Sequence, residues 1–294
     1  MTQRQKDKLQ RFIFENTDVR GEIVHLDESY ISAVKNSNYP QPLKELVGQI
    51  MAATALLAAT IKIKGKLTVQ AQGEGAVSLV LVQCSSDHEI RSMAKWEGDI
   101  STEDIQKMLG KAYMAITIEP DGDKERYQGV VQLHGDKIEQ AFEEYFSSSE
   151  QLATKVCLTA DGDSAAGLFL QKLPESENVQ DADAWDRMSQ LASTITPEEL
   201  LQLSAEDLIH RLFNQENVRL FEPNTIEFKC SCSREKLEGV LKSIGYDDLK
   251  KLIEEKGNVE VDCEYCREKY IFDTIDVECL FNYADTHKTP DTKQ

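Results

Sequence analysis

From Pro42 to Ala59 the apolar residues Leu43, Leu46, Val47, Ile50 and Leu57 recur at helical spacing. The pattern then changes to alternation. Leu67, Val69 and Ala71 share one face, Gly73-Glu74-Gly75 intervene, and Val77, Leu79, Leu81 and Gln83 follow. That arrangement predicts a hairpin with a glycine turn. Further strands are expected at Glu89–Lys95, Met114–Ile118, Tyr127–Leu133, Leu152–Thr159 and Gly167–Lys172. Asp136 is expected to cap a helix carrying Ile138, Ala141, Phe142, Tyr145 and Phe146, with Ser147–Glu150 as a loop after it. Residues 1–177 therefore read as a mixed α/β core domain without internal repeats.

Residues 178–229 keep a helical rhythm in shorter pieces. Trp185, Met188, Leu191 and Ile195 recur every three to four residues. Thr196 is a predicted N-cap, with Pro197 at the first helical position and Glu198 and Glu199 in the first turn. Ser204 and Asp207 form a second cap signal before Leu208, Ile209, Leu212 and Phe213. This is a helical linker whose apolar faces need a cover, most simply the first domain.

The rhythm shortens again in residues 230–294. Leu237, Val240, Leu241 and Ile244 predict a helix closed by Gly245, and Leu249, Leu252 and Ile253 a second closed by Gly257. Val259, Val261 and Cys263 alternate, and Tyr270 and Phe272 alternate on the return. The expected product is a two-stranded knuckle with a pair of cysteines at its tip. A unit this small has little core, so a staple is expected. The fold class is α+β: the core domain, the helical linker and a small C-terminal zinc-binding domain.

Composition narrows the function. The chain has 294 residues, 40% of them hydrophobic and 29% charged, which is ordinary globular material. The net charge is −19, with acid in excess in each of the three segments. Such a surface repels nucleic acid. Met1 to Arg11 has no apolar signal core, and the richest apolar stretch, Ile50–Ile63, is too short to span a bilayer. A cytoplasmic protein with no membrane or nucleic-acid partner is expected.

Four of the seven cysteines stand in two tight pairs, Cys230-Ser231-Cys232 and Cys263-Glu264-Tyr265-Cys266, thirty residues apart. Four thiolates can close a tetrahedral shell around one zinc ion. The same sulfurs can instead close two disulfides, each between sequence neighbours. A C-x-x-C turn meets disulfide geometry easily, whereas an extended C-x-C lies near its upper limit, so the second pair is expected to oxidise first. Lys229, Arg234, Lys236, Arg267 and Lys269 flank the pairs and either offset thiolate charge or form a solvated surface. Cys84 and Cys157 read as core packing, and Cys279 as packing of the small domain. His25, His88, His134, His210 and His287 carry no motif, and no nucleophile elbow or phosphate loop is present.

Phe228-Lys229-Cys230-Ser231-Cys232-Ser233-Arg234, followed by Cys263-Glu264-Tyr265-Cys266 and Tyr270, resembles the zinc domain of the bacterial heat shock protein 33 family, the redox-regulated 33 kDa chaperonins. Tyr127–Val131, Glu144–Gln151 with Thr154, Ala166–Gln171 and Leu173-Pro174 are similar to other signature segments of that family. Ala165-Ala166-Gly167 departs from it where a glycine pair is expected. The resemblance implies a holdase without ATP, not an enzyme, that is inactive when reduced and zinc-bound through Cys230, Cys232, Cys263 and Cys266. It implies activation by Cys230–Cys232 and Cys263–Cys266 disulfides with zinc release, linker unfolding, homodimer formation and binding of unfolding client proteins. Two other readings stay open: a zinc-dependent regulatory protein, and a thiol-disulfide oxidoreductase using Cys263–Cys266.

Overall fold

The computed structural model describes residues 6–61, 64–102, 104–122, 124–174, 181 and 183–285. Residues 178–180 and 182 at the start of the linker, and 286–294 with His287, lie outside that set. The described chain divides into two compact units, residues 1–229 and 230–294.

In the first unit, β1 (Lys8–Phe14) and β2 (Val19–Leu26) lead into α1 (Glu28–Val34) and α2 (Gln41–Thr60). Next come β3 (Gly65–Gly73), β4 (Val77–Ser85), β5 (Glu89–Trp96), α3 (Ile105–Leu109), β6 (Ala112–Pro120) and β7 (Tyr127–Gln132). Helix α4 (Ile138–Tyr145) is followed by β8 (Thr154–Ala160) and β9 (Ala165–Lys172). The linker contributes α5 (Ala184–Ala192), α6 (Pro197–Gln202), α7 (Ala205–Phe213) and short strands β10 (Val218–Leu220), β11 (Asn224–Thr225) and β12 (Glu227–Phe228). One sheet runs β10-β1-β2-β9-β8, with β11 also paired to β1, and the other runs β12-β5-β4-β3-β6-β7.

Helix α2 shares one apolar core with residues from both sheets, including Leu9, Val24 and Phe169 on one side and Val69, Val82 and Ile116 on the other. The helix is longer than its apolar rhythm suggested. Its 20 residues are long and apolar enough to cross a membrane by length and composition, which corrects the shorter reading. Leu43, Leu46, Val47 and Ile50 through Ala58 are buried inside the unit, and that position accounts for a second half that is apolar on nearly every side.

The predicted β3–β4 hairpin forms in register, Ala71 opposite Val80 and Leu67 opposite Cys84. Its glycines serve closeness rather than a left-handed turn. A Cβ on Gly73 or Gly75 would collide with the main-chain oxygens of Leu109 and Met108. Asp136 does not cap α4; the N-cap position is Lys137, with no side-chain bond. Ser147–Glu150 is not a loop but belongs to a π-helical turn, Phe146–Glu150.

The linker helices cover the other face of the first sheet. Met188, Leu200, Leu208, Ile209, Leu212 and Phe213 pack with Phe12, Phe14, Val19, Ile23 and Leu168. Phe213 meets Phe14 edge-on at 5.0 Å between ring centres. Thr196 forms a full capping box with Glu199. Ser204 accepts from the Asp207 amide at 3.1 Å, while its hydroxyl donates to the Asp207 carboxylate rather than completing the reciprocal box. His25 on β2, buried, donates from Nε2 to the Leu200 carbonyl at 3.0 Å. The linker is not helical throughout: its end returns as β10 and β11 beside β1, and β12 joins β5 in parallel.

The second unit holds α8 (Arg234–Ile244), α9 (Tyr246–Lys256), the knuckle β13 (Val259–Asp262) and β14 (Lys269–Phe272), and α10 (Thr274–Asp285). Gly245 and Gly257 follow α8 and α9 at positive φ. Leu241, Leu249, Val259, Phe272, Val277 and Leu280 form its core. Six buried side chains are a small core for a unit of this length. Cys279 does not pack this core as expected; it faces solvent on α10.

Candidate metal centre

Two local structures bring the predicted thiols together. Cys263 and Cys266 lie in the turn between β13 and β14, whose register pairs Asp262 with Lys269. Arg267 closes that turn at φ 58°, and its amide donates to the Cys263 carbonyl at 2.9 Å. The Cys263 amide in turn donates to the Glu268 carbonyl at 2.9 Å. Cys230 and Cys232 precede α8, where Ser233 is the N-cap and accepts from the Lys236 amide.

The Sγ atoms of Cys230, Cys232, Cys263 and Cys266 all lie within 4.8 Å of one another. The contacts across the pairs are close: Cys230 to Cys263 is 3.6 Å, and Cys232 to Cys266 is 3.4 Å. Sulfurs about 2.3 Å from a tetrahedral zinc stand about 3.8 Å apart. The cluster has that scale, and four soft donors suit zinc. These four residues can hold a metal ion.

The sulfurs have unequal surroundings. Burial opposes ionisation of Cys263, but the N–H groups of Cys266 and Tyr265 point at its sulfur and hold it below the ordinary thiol value. Burial pushes Cys266 up, and hydrogen bonds shared with the Cys232, Cys230 and Cys263 thiols push it further. Burial also raises Cys230. Tyr270 on β14 donates its hydroxyl to the Cys232 sulfur at 3.3 Å. Sequence reasoning placed Tyr270 on the return strand without assigning it this hydrogen bond.

Three of the five flanking cations, Arg234, Lys236 and Lys229, turn to other partners. Arg234 pairs with Asp276 at 2.7 Å, donates to the Ile271 carbonyl at 3.0 Å and stacks over Phe272 at 4.3 Å. Lys236 donates to the Ser231 carbonyl at 2.5 Å. Lys229 pairs with Glu89 on β5. Arg234 therefore fastens β14 and α10 to the start of α8, a packing role beyond the charge offset considered from sequence.

Cys84 and Cys157 belong to the first unit. Burial pushes Cys84 in β4 up to about 12. Cys157 in β8 is raised to about 11, chiefly by burial, and its thiol faces the Ala192 carbonyl at 3.7 Å. Burial disfavours the reactive thiolate in both.

A sequence model described as Hsp33 protein matches residues 7–273. The 33 kDa chaperonin of Shewanella woodyi is 43% identical over 290 residues, covering 98% of this chain and 99% of its own. The 33 kDa chaperonin of Shewanella frigidimarina is 46% identical over 284 residues, covering 96% and 98%. The crystal structure of a 33 kDa chaperonin from Thermotoga maritima superposes with a TM-score of 0.82, covering 95% of this chain and 99% of that one. At 19% identity that likeness bears on the fold. With the family match and relatives above 40% identity extending over nearly its whole length, this chain belongs to the Hsp33 family of chaperones.

Proposed function

We propose that this protein is a redox-regulated holdase: an ATP-independent chaperone of a reducing compartment, the cytoplasm. It rests with zinc on Cys230, Cys232, Cys263 and Cys266 and binds unfolding proteins once those thiols are oxidised. The observation that carries this reading is the four-sulfur cluster, at zinc scale, in a unit whose own core is too small to hold it together. Bound zinc supplies a positive centre that keeps four thiolates side by side and staples the unit.

The residues do the rest. The N–H groups around Cys263 favour its thiolate, which is the form that attacks an oxidant. One peroxide takes two electrons from the Cys263 and Cys266 thiolates as their S–S bond closes, its O–O bond breaks, and two protons from solvent complete the two waters that leave. A second peroxide does the same for Cys230 and Cys232. The disulfides consume the ligand set, and residues 230–294 lose their staple. Chain connectivity carries the effect onward: the Lys229 amide is bonded to the Ile90 carbonyl, and Cys230 is the next residue. The linker helices are short and depend on docking. Their release uncovers the apolar face of the first sheet for clients and for a second oxidised copy.

The test measures zinc content and suppression of client aggregation on one sample, before and after peroxide treatment. Zinc loss with gained activity supports the switch. Activity that is the same in both states, with zinc retained, overturns it.

A further inference from the structure

The first sheet contains a charged cavity that the redox chemistry does not use. Glu22 on β2 is 2% exposed, and its Oε2 has no hydrogen-bond partner. It lines a cavity of about 240 Å³ with Arg11, Arg20, Thr60 and Phe221. Arg20 is half-buried and directs Nε and Nη2 to Gln171 Oε1 at 3.2 and 2.7 Å, so Nη1 remains for another partner. Arg11 pairs in register with Glu22 across β1 and β2, and its exposed side chain marks the rim. Phe221, from the returning end of the linker, borders the cavity and is held there by the Gln10 side chain, which donates to its carbonyl.

A buried, unpartnered carboxyl is costly unless it is neutral or paired. Burial lifts Glu22 to about 7, against the pull of Arg20 and Arg11, so about half of it is a carboxylic acid with a proton to donate at neutral pH, and most of it is at pH 6. The cavity then presents two guanidiniums and one acid O–H, a set of donors with net positive charge inside a protein of net charge −19. Donors of this kind recognise an oxyanion: guanidiniums pair with its oxygens, and the neutral acid completes the shell.

We infer that this cavity is a binding site for a small oxyanion, of the carboxylate or phosphate class, held by Arg11, Arg20 and protonated Glu22. Among the described residues, the charged groups facing Glu22 are Arg20 on its own strand and Arg11 on β1. From α2 the cavity is lined by Ala59 and Thr60, both uncharged. Ionisation of Glu22 removes a donor and adds a repelling charge, so affinity falls as pH rises through the neutral range.

The test uses the full, reduced, zinc-loaded protein and isothermal titration with sulfate, whose charge is constant over the range, at fixed ionic strength. Succinate and inorganic phosphate form separate arms that distinguish planar from tetrahedral ligands. Binding should weaken about tenfold from pH 6 to pH 8, following the fraction of Glu22 that is neutral. Glu22→Gln, which keeps an N–H donor, should bind with no such pH dependence. Arg20→Met should lose binding, and Arg11→Met, a rim substitution that leaves the fold intact, should weaken it about tenfold. The site is refuted if none of the three anions produces binding heat, if Arg11→Met binds like the unaltered protein, or if Glu22→Gln retains the pH dependence.

Discussion

Replacing Leu208 and Leu212 together by aspartate tests whether linker docking is the gate. Leu208 is 0% and Leu212 4% exposed, and both lie in the cluster between α5–α7 and the first sheet. Losing two buried leucines removes about 3–6 kcal/mol. Keeping two carboxylates in that apolar layer costs several kcal/mol more. The sum, on the order of 5–10 kcal/mol, rivals the whole stability of a typical domain. The linker escapes the penalty by undocking, because the α2 core lies on the opposite face of the sheet and does not include these side chains. The assay is light scattering of a denatured client under reducing conditions, with zinc content and hydrogen exchange of α5–α7 in parallel. The variant should keep its zinc, lose protection in α5–α7 and suppress aggregation without oxidant. Retained zinc and lost protection with no suppression would refute the gate; unchanged protection would refute the energy estimate.

Cys230→Ser should lose stoichiometric zinc and loosen residues 230–294 while residues 1–229 stay folded, because loss of one ligand removes much of a binding energy on the order of 10 kcal/mol; metal analysis and hydrogen exchange read both effects. Under limiting peroxide, Cys263–Cys266 should close before Cys230–Cys232, and mass spectrometry of trapped intermediates would contradict this by finding Cys230–Cys232 with Cys263 free. Glu22 has a folded-state pKa raised from 4.5 to about 7, so its contribution to stability is full below pH 4.5 and is lost as pH rises through 7. Glu22→Gln should therefore gain about 3 kcal/mol relative to the unaltered protein between pH 4.5 and pH 8, and denaturant melts with parallel pH profiles would overturn the assignment.

Elements were legible in the sequence where one face is buried and nothing polar interrupts the rhythm. Helix α2, the β3–β4 hairpin and α5–α7 are of this kind. Strand β2 was not recognised because Arg20, Glu22 and His25 stand among its apolar residues, and only tertiary structure reveals their cavity and their partner on α6. Strands β10–β12 are two or three residues long, too short for any period, and exist because β1 and β5 offer open edges. The cysteine cluster was legible from four thiols in two tight pairs. The amides around Cys263 and the Tyr270 hydroxyl were not, since a turn's N–H directions and a strand's facing side leave no signature in composition.

The return of the linker to the sheet it covers bears on how quickly the protein can reset. Residues 173–217 leave from the end of β9 and rejoin at β10, two strands of one sheet. If β10 stays paired when the helices melt, the freed segment is a loop pinned at both ends rather than a free tail. Such a loop gains less entropy on release and stays at high effective concentration over its own docking face. On the proposed mechanism a client would then compete with an internal rival that never diffuses away. Under the proposed switch, once the thiols were reduced again, α5–α7 would need no long search to cover the sheet and displace what was held there.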